Sequence, residues 1–124
     1  MAEAVDFSLL AKSGTNAQTF KAGETIFREG DAPGRHFFVV QSGSVEIRRR
    51  GRTLDTVGEN DIFGEMALID DAPRSATVVA ATDVSLVPVD EKQFLFLIRE
   101  TPFFALNVMR VLARRLRASN ERHA

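Results

Sequence analysis

Apolar and polar positions change their period twice along this chain. Near the start, Val5, Leu9 and Leu10 recur at helical spacing within Glu3 to Ala11, and Gly14 follows as a stop. That pattern predicts a short helix packed on the flank of the domain. From Thr19 to Val89 the pattern becomes short strands divided by turn residues. Thr19 to Lys21 runs into Ala22-Gly23, and Thr25 to Arg28 into the breaker-rich Gly30-Asp31-Ala32-Pro33-Gly34. His36 to Gln41 is strongly apolar and β-prone. Ser42-Gly43 then turns the chain into Ser44 to Arg48, which alternates with period two. Arg49 to Arg52 reads as a solvated hairpin tip, with Thr53 to Val57 as the return strand. Gly58 to Asp61 is the next turn, and Ser75 to Ala80 and Val84 to Val89 are two further strands. So many short strands at this spacing predict an all-β sandwich or barrel.

Helical period returns at Asp90. Asp90 can cap a helix of Glu91 to Glu100 with Phe94, Leu95, Leu97 and Ile98 as its apolar face. Thr101-Pro102 breaks that helix and opens another, with proline at its first position. The second runs from about Phe103 to Glu121. Its seam is Met109, Leu112 and Leu116, flanked by Ala105, Val108 and Val111. The plain expectation is a helix laid on the β-structure. The sharper one is a helix that both closes over a ligand and pairs with a second copy, along an apolar seam only about two to three heptads long.

Length and composition narrow the function classes. The chain has 124 residues, which suits one domain with a single core. A net charge of −1 exerts no global pull toward nucleic acid or acidic lipid. There is no cysteine, hence no disulfide framework. The two histidines, His36 and His123, lack zinc-ligand spacing. No apolar run approaches the roughly 20 residues that span a bilayer. The acidic N-terminus lacks a signal-peptide pattern, so the expected location is the cytoplasm. Catalysis is not expected: no nucleophile–base pair and no nucleoside-triphosphate loop stands out. The arginines of the last helix, including Arg110, Arg114, Arg115, Arg117 and Arg122, read as its outer face, with one of them a candidate cation–π lid.

The chemistry concentrates between Phe63 and Val79. Gly64 permits a positive φ and a close backbone approach to a ligand. Glu65 to Ile69 can start a helix, whose free N–H groups form an anion site. Pro73 stops it. Arg74 brings a planar fork of donors suited to phosphate oxygens, and Ser75 a hydroxyl and its own N–H. One anion therefore meets donors from two elements. Glu65 needs a partner of its own beside such an anion. A ribose 2′-hydroxyl would be one, and a cyclic nucleotide carries both groups. The bland alternative is that Glu65 and Arg74 pair with each other across a turn.

Phe63-Gly64-Glu65-Met66-Ala67-Leu68, followed by Pro73-Arg74-Ser75-Ala76-Thr77-Val78, resembles the phosphate-binding cassette of cyclic nucleotide-binding domains. Lys21 to Asp31, Phe37 to Ile47 and Val57 to Glu65 sit where that family has its glycine-turned strands, so the resemblance covers about residues 5 to 122. It implies a mainly β fold with flanking helices: a double-stranded β-helix, or jelly roll, with a short N-terminal helix and two C-terminal helices. The whole chain, 1–124, would be one domain, with the β-roll at about 19–89, the cassette at 63–77 and the helices at about 90–122. The ligand-binding residues implied are Phe63, Gly64, Glu65, Met66, Ala67, Arg74, Ser75 and Ala76. Ile47, on a strand facing the cassette, is a candidate for apolar contact with the base.

The stretch Ala113 to Glu121 resembles the last helix of bacterial catabolite activator-type proteins. Two adjacent polar residues there touch the base, one of them from the partner subunit, and Ser119 and Asn120 match those positions. The expected ligand is a cyclic nucleotide, cyclic AMP or cyclic GMP, and the activator-like tail favours cyclic AMP. No other cofactor and no metal is expected. The chain stops where the activators' DNA-binding domain would begin and lacks channel segments and kinase motifs. The partner would then be a separate effector protein or a fused output domain, without direct nucleic-acid contact and without a membrane segment, and Met1 slightly favours a stand-alone protein. A family fold that has lost its nucleotide and serves as an interaction domain is the alternative, opposed by the intact Glu65 and Arg74.

Overall fold

The computed structural model describes residues 17–65 and 72–123. Among the described residues, eight strands and two helices follow one another in chain order: β1 (Gln18–Phe20), β2 (Thr25–Phe27), β3 (His36–Ser42), β4 (Val45–Arg49), β5 (Arg52–Val57), β6 (Ile62–Phe63), β7 (Thr77–Ala80), β8 (Val84–Asp90), α1 (Glu91–Glu100) and α2 (Pro102–His123). The strands form two antiparallel four-stranded sheets, ordered β1-β8-β3-β6 and β2-β7-β4-β5. This is the jelly roll expected from the resemblance. The helix expected at Glu3 to Ala11 lies outside the described residues.

Strand periodicity explains the two cores. On β3, Phe38 and Val40 point into the space between the sheets, together with Val45, Val57, Phe63, Val78, Val84 and Leu86. Their neighbours Phe37 and Val39 point the other way, onto a second core with Ile62, Val87, Val89, Leu97, Val108 and Val111. Successive strand residues face opposite sides, so a strand covered on both faces must be apolar at every position. That is why Phe37-Phe38-Val39-Val40 forms an unbroken apolar run. The sheet that carries β3, β6 and β8 is thus packed between the other sheet and the two helices.

The turns and helix ends follow from local chemistry. Arg50 and Gly51 connect β4 to β5 with φ of 53° and 78°, the pair of positive values that a tight hairpin of this hand requires. The tip, 49–52, is exposed as expected; beside it Arg48 pairs with Glu46 at 2.6 Å, and Arg49 Nε donates to the Ser75 carbonyl at 3.1 Å. Asp90 caps α1 as expected. Its carboxylate accepts from the Gln93 N–H, while the Gln93 side chain accepts from the Asp90 N–H.

Two helical faces differ from the sequence expectation. Leu95, placed on the apolar face of α1, is 56% exposed. On α2 the stripe against the sheet is Val108 and Val111, with Leu112 partly buried, whereas Met109 is 58% exposed. The first half of α2 is apolar nearly all round, and the sheet selects one stripe of it. Phe103, Leu106 and Met109, at helical spacing, form a second stripe that remains exposed.

Candidate functional site

Arg74 stands where the two sheets meet. It precedes β7, and its backbone is stitched to the turn after β2: its N–H donates to the Asp31 carbonyl and its carbonyl accepts from the Gly30 N–H, each at 2.8 Å. That turn is itself braced by Asp31, whose carboxylate accepts from the Arg28 N–H at 2.9 Å. Glu29 N–H donates to the Thr77 hydroxyl at 3.0 Å, tying the same turn to the start of β7.

The side chain crosses to the other sheet. Although charged, Arg74 is only 8% exposed. Nη1 donates to the Gly64 carbonyl and Nη2 to the His36 carbonyl, both at 3.2 Å. The guanidinium lies over the Phe27 ring, with Cζ 4.1 Å from the ring centroid. Nε is buried and has no hydrogen-bond partner among the described residues. A buried donor without a partner is expensive, about 1–3 kcal/mol.

Burial pushes the Arg74 guanidinium below its usual range, and the nearby carboxylates of Asp31 and Glu65 pull it back up. The cation is therefore held in a poorly solvating site, where an added anion would be welcome. Gly64 makes this approach possible. Its φ is +77°, and a Cβ there would lie 2.8 Å from Arg74 Nη1. Conformation and space both demand glycine.

The structure brings several of the expected residues together and separates others. Gly64, Glu65, Arg74 and Ser75 surround one region, with Glu65 partly buried and Ser75 exposed. Phe63 enters it only through its backbone, since its ring is fully buried and stacked on Phe38 at 5.1 Å between centroids. Ala76 is buried at the mouth of β7, 7% exposed. Ile47 sits on β4 opposite Val78 of β7, partly buried against the inner core. Met66 and Ala67 lie outside the described residues, and of Ser119 and Asn120 only the position on the last turns of α2 is described. Reasoning from sequence missed Phe27 and the His36 carbonyl. A backbone oxygen carries no residue signature, and Phe27 read only as a strand residue before a turn.

Beyond Arg74, β6 lies between the site and α2. Asp61, three residues before Gly64, receives Arg114 Nη2 at 3.5 Å, and its other carboxylate oxygen caps the Ile62 N–H at 2.8 Å. Among the described residues, no group of three or more potential ligands could hold a metal ion, and no helix is long and apolar enough to cross a membrane.

The family model for the cyclic nucleotide-binding domain matches residues 17–101, more than half of the chain. The chain belongs to the cyclic nucleotide-binding domain family. It is 38% identical over 116 residues to the cyclic AMP receptor protein of Thermus thermophilus, a match covering 90% of this chain and 53% of that protein. A second relative, the cGMP-dependent protein kinase of Plasmodium berghei, is 39% identical over 87 residues, covering 69% of this chain and 10% of the kinase. The crystal structure of the Thermus thermophilus catabolite activator protein superimposes with a TM-score of 0.75 at 37% identity, covering 91% of this chain and 55% of that one. This member of the family thus spans about half the length of the Thermus receptor.

Proposed function

We propose that this domain is a regulatory cyclic nucleotide sensor, with cyclic AMP its preferred ligand, and that occupancy of the Arg74 pocket moves α1 and α2. The observation that carries the reading is the Arg74 guanidinium, buried beside Gly64 and Glu65 with a donor still unmatched. In this reading Arg74 binds the cyclic phosphate with help from Ser75, Ala76 and the N–H groups of Gly64, Met66 and Ala67. Glu65 takes the ribose 2′-hydroxyl. Ile47 borders the base, and Ser119 and Asn120 reach its edge. The reading extends to this chain the ligand for which the Thermus receptor is named. The kinase relative is named for cyclic GMP, so the base remains for experiment to decide.

Coupling rests on β6. Ile62 packs in one cluster with Val108 and Val111, and Asp61 holds Arg114, so the strand that leads into Gly64 touches α2 twice. The message passes to an effector protein or a fused output domain. The exposed stripe of Phe103, Leu106 and Met109 would be covered by a second copy of α2 in a homodimer.

Calorimetric titration with cyclic AMP, cyclic GMP and 5′-AMP tests the reading. Tyrosine and tryptophan are absent, so heat is a better signal than intrinsic fluorescence. Saturable heat with cyclic AMP, weaker with cyclic GMP and weakest with 5′-AMP, is the expected result. No heat from any of them on folded protein would leave the fold as an interaction domain without nucleotide.

A further inference from the structure

The geometry points to Phe27 as a positioning residue for the anion-binding Arg74: its ring face holds the guanidinium in place while leaving the in-plane donors for the ligand. The inference rests on the reading of this pocket as the cyclic nucleotide site.

Three observations carry it. First, Arg74 Cζ lies 4.1 Å from the Phe27 centroid. Such stacking uses the face of the cation, whereas hydrogen bonds leave along its edges. Phe27 therefore orients Arg74 without competing for an acceptor. Second, the ring itself is held. It packs on Phe38 with centroids 6.3 Å apart and on Phe63 at 6.0 Å, and Phe38 and Phe63 stack on each other. The shelf under Arg74 thus continues into the inner core. Third, β2 pairs with β7 as Thr25↔Val79 and Phe27↔Val78, a one-residue slip that marks a bulge between Thr25 and Phe27. Bulges re-aim side chains, and here the re-aimed side chain is the one beneath Arg74.

The consequence for binding is entropic and geometric. A free arginine side chain samples many rotamers, and fixing them at the moment of binding weakens association. With the guanidinium already laid on Phe27, and Nη1 and Nη2 on the Gly64 and His36 carbonyls, that ordering precedes the ligand. Nε then lies buried and unmatched in a fixed plane.

Site-specific replacement of Phe27 by mono-, di- and trifluorophenylalanine drains the ring face of negative charge at nearly constant size. Titration of the 124-residue chain with cyclic AMP should show affinity falling stepwise along that series, by about 5-fold in all. Phe27→Tyr should stay within about 2-fold of wild type and Phe27→Leu should lose about 5-fold or more. In an Arg74→Gln background the Phe27→Leu effect should shrink below about 2-fold, because a neutral amide brings no cation to the ring face. A merely structural ring would show no dependence on fluorination and no coupling to Arg74. Wild-type binding that is unchanged along the fluorine series overturns the inference and leaves the nucleotide site standing, even if Phe27→Leu fails to fold. A wild-type chain that takes up neither cyclic AMP nor cyclic GMP overturns the site and the inference together.

Discussion

Replacing Gly64 by alanine separates two roles that the structure assigns to one position. The first is conformational. At a φ of +77° an L-residue is disfavoured by roughly 1–2 kcal/mol. The second is spatial. The new Cβ would sit 2.8 Å from Arg74 Nη1, far inside ordinary contact, and the cheapest relief is for the guanidinium to swing away. That movement removes the bond to the Gly64 carbonyl, worth about 1.5–3 kcal/mol for a charged donor. The expected loss of stability is therefore about 2.5–5 kcal/mol, with cyclic AMP affinity down by at least about 10-fold. Gly51 supplies the control. Its φ of +78° is almost the same, and a Cβ there would meet nothing within 4 Å. Gly51→Ala should show the conformational cost alone, about 1–2 kcal/mol, with binding intact. Urea denaturation and calorimetric titration of both variants give all four numbers. Equal destabilisation by the two substitutions, with wild-type binding in each, would refute the claim that Arg74 is seated against Gly64.

Arg74→Ala should weaken cyclic nucleotide binding by about 2–5 kcal/mol, or at least roughly 30-fold, as measured by calorimetry on protein shown to be folded by circular dichroism. Arg114→Gln breaks a half-exposed pair and should change stability by less than about 1 kcal/mol. In hydrogen exchange, however, it should reduce the ligand-induced change in α2 protection, and a response identical to wild type would remove Arg114 from the coupling. Met109→Glu places a charge in the exposed stripe of α2. Sedimentation velocity should show it shifting a dimer toward monomer with little change in melting temperature, whereas a wild-type chain that is monomeric at all concentrations would discard the paired helix.

Most of the architecture was legible because its determinants are local. Alternation marked the strands, glycines and Pro33 marked the turns, and Asp90 and Thr101-Pro102 marked the ends of α1. The sheet-facing side of α2 was not legible. Phe103, Ala105, Leu106, Val108, Met109, Val111 and Leu112 leave hardly any polar flank, so a periodic pattern cannot say which stripe the sheet will take. Val108 and Val111 are compact and join the buried cluster that holds Ile62 and Val89, while Met109 is left outside. The same limit applies at the site. Gly64 and Arg74 announce an anion pocket through their residue types. The shelf beneath Arg74 depends on a bulge in β2 and on two carbonyls, and these arise only when distant segments pair.

Little material lies between Arg74 and α2. β6 is two residues long, and its side chains alternate as strand geometry requires. Phe63 faces inward, beneath Phe27 and next to Gly64. Ile62 faces outward into the cluster with Val108 and Val111. Asp61, one residue earlier, ends on Arg114. A tilt of β6 would move both faces together, because both belong to one two-residue strand. The Arg74 side chain holds the Gly64 end of that segment, while its backbone is fixed to the opposite sheet through Gly30 and Asp31. An anion that draws the guanidinium toward itself must therefore either strain the Gly64 contact or carry β6 along. In the second case the helices respond through Ile62 and Asp61. In the first they do not, and nucleotide would bind with no change in the exchange of α2 amides.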